Sequence, residues 1–259
     1  MKKSLIFCTL AAALMTFAAV GEEPFGMTRS TTIKARGNIN NPKSNWTVRW
    51  QIKAKQTADL KNDIQILFVG DSITHFWERD AKPNARSIGG SVTYKKYFGN
   101  YRMLNIGYSG DRTEHTLWMI NESKLLDNIK PGLAVVMIGT NNIGHKKAGS
   151  VATAAGIKLV VESLRKKLPE TRILLFGVFP RGAKPANPYR KQISEINNTI
   201  CKFADNENVF YCDITDKLLE KDGTLSQDIM PDHLHPGEAG YEIWAQAIMP
   251  YVQKFVDKK

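Results

Sequence analysis

The sequence predicts an α/β fold in three layers (α/β/α), with a parallel five-stranded sheet of flavodoxin-like order between two layers of helices. Three observations predict it. Short apolar runs of strand length recur along the chain. Helix-length amphipathic stretches lie between them, and polar clusters rich in Gly, Asp and Asn follow them. Strands that alternate with helices pair in parallel, and right-handed crossovers leave few topologies. In such a sheet ligands bind beyond the carboxyl ends of the strands, so the polar clusters gather on one edge.

The first residues stand outside that pattern. Lys2 and Lys3 precede an uncharged run over residues 5–20, rich in Ala and Leu, which Glu22 and Glu23 end. A basic start, an apolar core and small residues such as Ala19 and Gly21 describe a secretory signal peptide, residues 1–21. An uncleaved anchor is the alternative, but the run is shorter than the roughly 20 apolar residues a spanning helix needs. The expected location is therefore secreted or periplasmic, with no stable membrane insertion after cleavage. Loss of the first 21 of 259 residues leaves about 238, the size of one large α/β domain that folds without staples. Net charge falls from +11 to +9 as Lys2 and Lys3 are lost. Basic balance suits nucleic acid, anionic polysaccharide or an acidic envelope. No aromatic-basic motif accompanies it, so no nucleic-acid partner is expected and a solvated basic face is the simpler reading.

Residues 22–62 read as a lead segment. Residues 22–45 are polar and extended, with no core of their own, and 46–60 form a helix presenting Trp46, Trp50, Ile52 and Leu60. The main domain, 63–259, follows. Its apolar runs, 64–69, 103–106, 133–138, 173–179 and 209–212, suit strands buried on both faces. Helices are expected over 113–121, from an N-cap at Ser150 through Val151 and Ile157 to Leu168, over 190–204, and from about Pro236 through Trp244 to Val252. Arg165, Lys166 and Lys167 suit the C-terminus of the second of these, and Pro169 stops it. Cys201 and Cys212 fall on the third helix and the strand after it. An exported chain can oxidise such a pair, but bridging needs Cα atoms within about 7 Å, so a disulfide and two separate buried thiols both remain open. No Cys/His metal-ligand spacing occurs.

Chemistry concentrates after the strands. Gly70-Asp71-Ser72-Ile73-Thr74 follows the first, Asn105 to Asp111 the second and Gly139-Thr140-Asn141-Asn142 the third; Asp232-His233-Leu234-His235-Pro236 precedes the last helix. A serine hydroxyl is a poor nucleophile until a base takes its proton. Ser72, at a strand-to-helix turn, is the candidate nucleophile and His235 the candidate base. Asp232, three residues earlier, is placed to fix the imidazole tautomer and stabilise its cation. A tetrahedral intermediate needs donors for its oxyanion, and the Ser72 and Gly110 backbone N–H groups and the Asn141 amide supply three candidates.

Singly these signals are weak; in this order they resemble the four blocks of the SGNH (GDSL-like) hydrolase superfamily. GDSIT is similar to the nucleophile block, NIGYSGD to the glycine block, GTNN to the asparagine block and DHLHP to the Asp-x-x-His block. The resemblance covers roughly residues 63 to 252. The stretches NIGYSGDRTEHTLWMI, IKPGLAVVMIGTNN and GVFPRGAKPANPYR look like the branch holding platelet-activating-factor acetylhydrolase catalytic subunits and bacterial relatives. The resemblance implies Ser72, Asp232 and His235 as triad, Ser72, Gly110 and Asn141 as oxyanion hole, no metal or organic cofactor, and removal of short acyl groups, commonly acetyl. It makes the chain a serine esterase acting on a small ester or an acetylated glycan. Lipid or lysophospholipid ester hydrolysis is the second reading, and a catalytically silent glycan-binding protein on the same fold the third.

Other residues at the edge carry structural and functional readings. His233 competes with His235 as base, although the spacing favours His235; otherwise it is a pocket wall or a structural residue. Asp71 is a brace for the nucleophile turn or a group facing substrate, and Asp111 orders the glycine loop. Asn142 faces substrate, orients Asn141 or ends its strand. Arg181 contacts substrate or braces its loop through carboxylates. His75, Phe76, Trp77 and Tyr108 line the pocket or belong to the core.

Overall fold

The computed structural model describes residues 29–36, 41–81, 86–144 and 148–257; the expected signal segment, residues 1–21, lies outside them. Five strands form one parallel sheet: β1 Ile66–Gly70, β2 Met103–Gly107, β3 Leu133–Met137, β4 Arg172–Phe176 and β5 Val209–Cys212. Their order is β2-β1-β3-β4-β5, the flavodoxin-like order expected. The helices are α1 Asn45–Leu60, α2 Ser72–His75, α3 Ser91–Phe98, α4 Thr113–Asn121, α5 Thr140–Gly144, α6 Ser150–Lys167, α7 Pro188–Ile200, α8 Thr215–Leu218 and α9 Glu238–Phe255. Among the described residues no helix is long and apolar enough to cross a membrane.

Side chains alternate across the strands and so build two cores. Leu67, Val69, Leu104, Ile106, Val136 and Leu175 face α4, α6 and α7, whose Ile120, Ile157, Val160 and Ile196 close that layer. Ile66, Phe68, Val135, Leu174 and Phe176 face the other way, toward Phe98 of α3 and Trp244, Ile248 and Val252 of α9. The same alternation separates the cysteines. Cys212 packs with the α9 layer, while its strand neighbour Tyr211 packs with the layer that α7 belongs to, and Cys201 directly follows α7. Both thiols are free.

The lead segment differs most from its expected form. Trp46 of α1 joins the first core and sits against Tyr108 and Trp118, with ring centroids 5.3 and 5.6 Å away. Ile52, expected on the buried face, is 59% exposed. Positions 49, 53 and 56 share one face at i, i+4 and i+7, and that face is polar. Arg49 donates from Nε to the Gly107 carbonyl (2.8 Å) and from Nη2 to the Asn105 carbonyl (3.1 Å), and Gln56 donates to the Met103 carbonyl (2.8 Å). These are the carbonyls of β2 that point away from β1. Lys53 and Arg49 also share Glu78, at 2.7 and 2.8 Å. Burial disfavours the Glu78 carboxylate, but the two cations outweigh it and hold its pKa below the usual range. The segment before α1 is anchored too: Ser30 is buried, its carbonyl accepts from Thr113 Oγ1 (2.8 Å) and its hydroxyl from Asn142 Nδ2 (3.1 Å).

Three helix details depart from expectation. Gly149, not Ser150, caps α6, and the Ser150 hydroxyl bonds Glu195 at 2.6 Å. Val151 is 69% exposed rather than packed. The last helix starts at Glu238 behind Gly237, two residues after Pro236.

Candidate active site

Ser72, Gly110 and Asn141 follow three neighbouring strands, β1, β2 and β3, at the sheet's carboxyl edge. The sheet switches direction of travel between β1 and β3, and the resulting crevice is where such folds place ligands. Ser72 opens α2 behind Asp71, whose Oδ1 accepts from the Ile73 N–H at 3.0 Å and caps the helix. Gly70 is required here, because a Cβ would collide with the Met137 carbonyl and the Thr74 side chain.

The loop before α9 brings the base to the serine. Ser72 Oγ lies 2.8 Å from His235 Nε2, and His235 Nδ1 lies 2.7 Å from Asp232 Oδ2. An ionised carboxylate only accepts, so Nδ1 carries the proton, Nε2 is the acceptor and the Ser72 hydroxyl donates to it. The second Asp232 oxygen accepts from the backbone N–H of Leu234 (3.1 Å) and His235 (2.7 Å), which fixes the turn. Partial burial alone would raise the Asp232 pKa; hydrogen bonds from the His235 ring and backbone outweigh it and bring it below the usual carboxylate range. Phe76, four residues after Ser72, places its ring 5.2 Å from that of His235.

The glycine loop is held by several contacts. Gly110 has φ +77°, a conformation that favours glycine. Asn141 donates from Nδ2 to the Asp111 carbonyl at 2.9 Å, leaving its second amide hydrogen for another acceptor. Asp111 is buried; its Oδ1 accepts from Trp46 Nε1 (3.2 Å) and from Arg36 (3.4 Å). Burial pushes the Asp111 carboxyl up to about 8 and that of Asp71 up to about 7. His75 Nδ1 lies 3.0 Å from the Ser109 hydroxyl, and burial takes the imidazole down to about 4, so it stays neutral at neutral pH.

Several residues expected to touch substrate do other work. Trp77 is fully buried between Tyr241, Trp244, Phe98 and Phe68. Tyr108 is likewise in the core, under the Arg49 guanidinium. Asp71 is fully buried and is the brace, not a substrate contact. Asn142 faces away from the crevice: its Oδ1 accepts from the Thr113 N–H (3.1 Å) and its Nδ2 donates to Thr113 Oγ1 (2.9 Å). His233 ties Nδ1 to the Leu225 carbonyl (2.9 Å), and its own carbonyl accepts from the Gly182 N–H (2.8 Å). Arg181 braces its neighbourhood through a carbonyl rather than a carboxylate, donating to Thr140 O at 3.1 Å and lying over the Tyr189 ring. Sequence reasoning missed Arg36 and Arg49 altogether; neither falls in a motif or an apolar period.

Known proteins share the family and the fold. The model of the GDSL-like lipase/acylhydrolase family matches residues 68–243. Human platelet-activating factor acetylhydrolase IB subunit alpha1 is 29% identical over 196 residues, which is 74% of this chain and 78% of that protein. The rat alpha2 subunit is 32% identical over 196 residues, 74% of this chain and 79% of that protein. Among solved structures, a GDSL-like lipase of Bacteroides thetaiotaomicron aligns with a TM-score of 0.61 at 20% identity, covering 79% of this chain and 97% of that one. An acetylxylan esterase of Geobacillus stearothermophilus aligns with a TM-score of 0.56 at 21% identity, covering 74% and 95%. With its family model spanning most of the chain and a serine, an imidazole and a carboxylate in register, this protein belongs to the GDSL-like lipase/acylhydrolase family and is a serine ester hydrolase.

Proposed function

We propose that the protein removes short acyl groups, acetyl first among them, from acetylated carbohydrate outside the cytoplasm, through an acyl-enzyme on Ser72. The observation that carries the mechanism is the 2.8 Å approach of Ser72 Oγ to His235 Nε2, with Asp232 on the far nitrogen. His235 takes the hydroxyl proton as Ser72 attacks the ester carbonyl. The oxyanion meets the Ser72 and Gly110 N–H groups and the free amide hydrogen of Asn141. His235 then protonates the leaving alcohol, and water repeats the sequence to release the acid.

Acyl length and substrate class rest on the walls. The contacts at this edge of the sheet are largely polar, His75 with Ser109, Asn141 with the Asp111 carbonyl and Arg181 with the Thr140 carbonyl, beside the Phe76 ring on His235. Trp77 and Tyr108, which would have made an apolar trough, are in the core. That leaves little to shelter a long chain, whose every buried methylene would be worth about 0.8 kcal/mol in an apolar pocket. The acetylhydrolase names of the curated relatives point to the same acyl group, and one protein of similar fold is named an acetylxylan esterase. The signal-like pattern of residues 1–21 supports a substrate outside the cytoplasm.

Activity should fall steeply from p-nitrophenyl acetate to octanoate, and acetylated xylo-oligosaccharides should release acetate. A rise toward octanoate would overturn the short-acyl reading in favour of longer-chain lipid esters. Failure of a fluorophosphonate probe to label Ser72 would favour a silent binding protein. Asn141→Ala should lower kcat by about 10²–10³, the cost of one oxyanion donor, as read from steady-state kinetics on the acetate ester.

A further inference from the structure

The strap formed by residues 29–36 lies outside the span matched by the family model, yet it reaches the glycine loop. It is anchored at Ser30, and the Lys34 N–H donates to the Glu114 carbonyl at 3.1 Å. Gly156 lets it pass, since a Cβ there would collide with the Ser30 carbonyl. At the end of the strap, Arg36 lays its guanidinium against Gly110; a Cβ on Gly110 would fall into the guanidinium itself. The same group donates to the Ser109 carbonyl and, at 3.4 Å, to Asp111 Oδ1.

The Ser109 carbonyl and the Gly110 N–H belong to one peptide unit. That unit is planar and trans, so its oxygen and its hydrogen point in opposite directions. A cation bonded to the oxygen fixes which way the hydrogen points. It also polarises the unit and makes the N–H a better donor, by about 10–30% in such a chain of bonds. We propose that Arg36 is a positioning residue for the oxyanion hole, holding the Ser109–Gly110 peptide so that the Gly110 N–H faces the substrate carbonyl. Without it, the peptide can turn over at little cost, because glycine tolerates both signs of φ, and a carbonyl oxygen would then face the developing negative charge. The His75 contact to the Ser109 hydroxyl holds the other side of the same residue and joins the loop to the helix that carries Ser72. The role rests on the acyl-transfer reading above.

The test uses the full chain with Arg36→Ala and Arg36→Lys. For p-nitrophenyl acetate, Arg36→Ala should lose about 10- to 100-fold in kcat, less than a full oxyanion donor because the donor is still present, with KM within about threefold. Labelling of Ser72 by a fluorophosphonate should slow in step, because phosphonylation uses the same donors. Arg36→Lys should recover part of the rate, and added guanidinium ion should rescue Arg36→Ala. Wild-type kcat in Arg36→Ala would overturn the proposal. So would a change confined to KM, which would make Arg36 a substrate contact, or a rate loss that follows only a fall in Tm and resists guanidinium. Failure of the esterase reading itself would show separately, in the unsubstituted protein and in Ser72→Ala.

Discussion

Ser72→Ala should reduce kcat on p-nitrophenyl acetate by on the order of 10⁶-fold while the protein stays folded. Ser72 is nearly buried and its hydroxyl makes a single side-chain bond, to His235. Alanine fits the same backbone, keeps the N–H that serves the oxyanion and removes only the attacking oxygen. Losing that bond should change stability by about 1 kcal/mol. Residual catalysis of about 10³–10⁴ over water should persist from the oxyanion donors and binding. The measurement is single-turnover hydrolysis with matched thermal melts; an active, well-folded alanine variant would remove Ser72 from the chemistry.

Asp232→Asn should cost about 10⁴-fold in kcat. The asparagine oxygen can still accept from the Leu234 and His235 N–H groups, so the turn survives. Its amide nitrogen then faces His235 Nδ1 and donates to it. The imidazole proton moves to Nε2, where it blocks acceptance from Ser72. The loss should appear in kcat and in fluorophosphonate labelling, with KM little changed. A rate within tenfold of wild type would mean that some other group sets the tautomer. The lowered Asp232 pKa gives a related expectation. Its folded pKa lies below the unfolded one, so the stability it adds is present at neutral pH and is lost only as pH falls through the lowered value.

Much of the sheet was legible because buried parallel strands are nearly continuous apolar runs and their turns are marked by Gly, Asp and Asn. The triad was legible because its three members sit in short motifs. What failed was the direction of individual side chains. Trp77 follows Phe76 in a short 3-10 turn after α2, so the two rings point in different directions, Trp77 into the core and Phe76 beside His235. Tyr108 follows β2 directly, but it is buried by Trp46, a residue more than sixty positions away. Asn142 turns from the crevice because it is taken up by Thr113 and Ser30. The basic balance also hid a structural use of charge. Arg36, Arg49, Lys53 and Arg190 are bonded to carbonyls and carboxylates within the fold, so part of the excess charge builds the molecule rather than a surface.

The outer carbonyls of β2 have a consequence beyond the site. A border strand with unpaired backbone acceptors is a template on which a second chain can add edge-on. Here Arg49 and Gln56 occupy those acceptors, and with its long charged side chains the first helix acts as a guard against such association. A shortened chain beginning at residue 63 would keep the triad motifs yet lose Arg36 and open that border, so it should precipitate as well as lose rate.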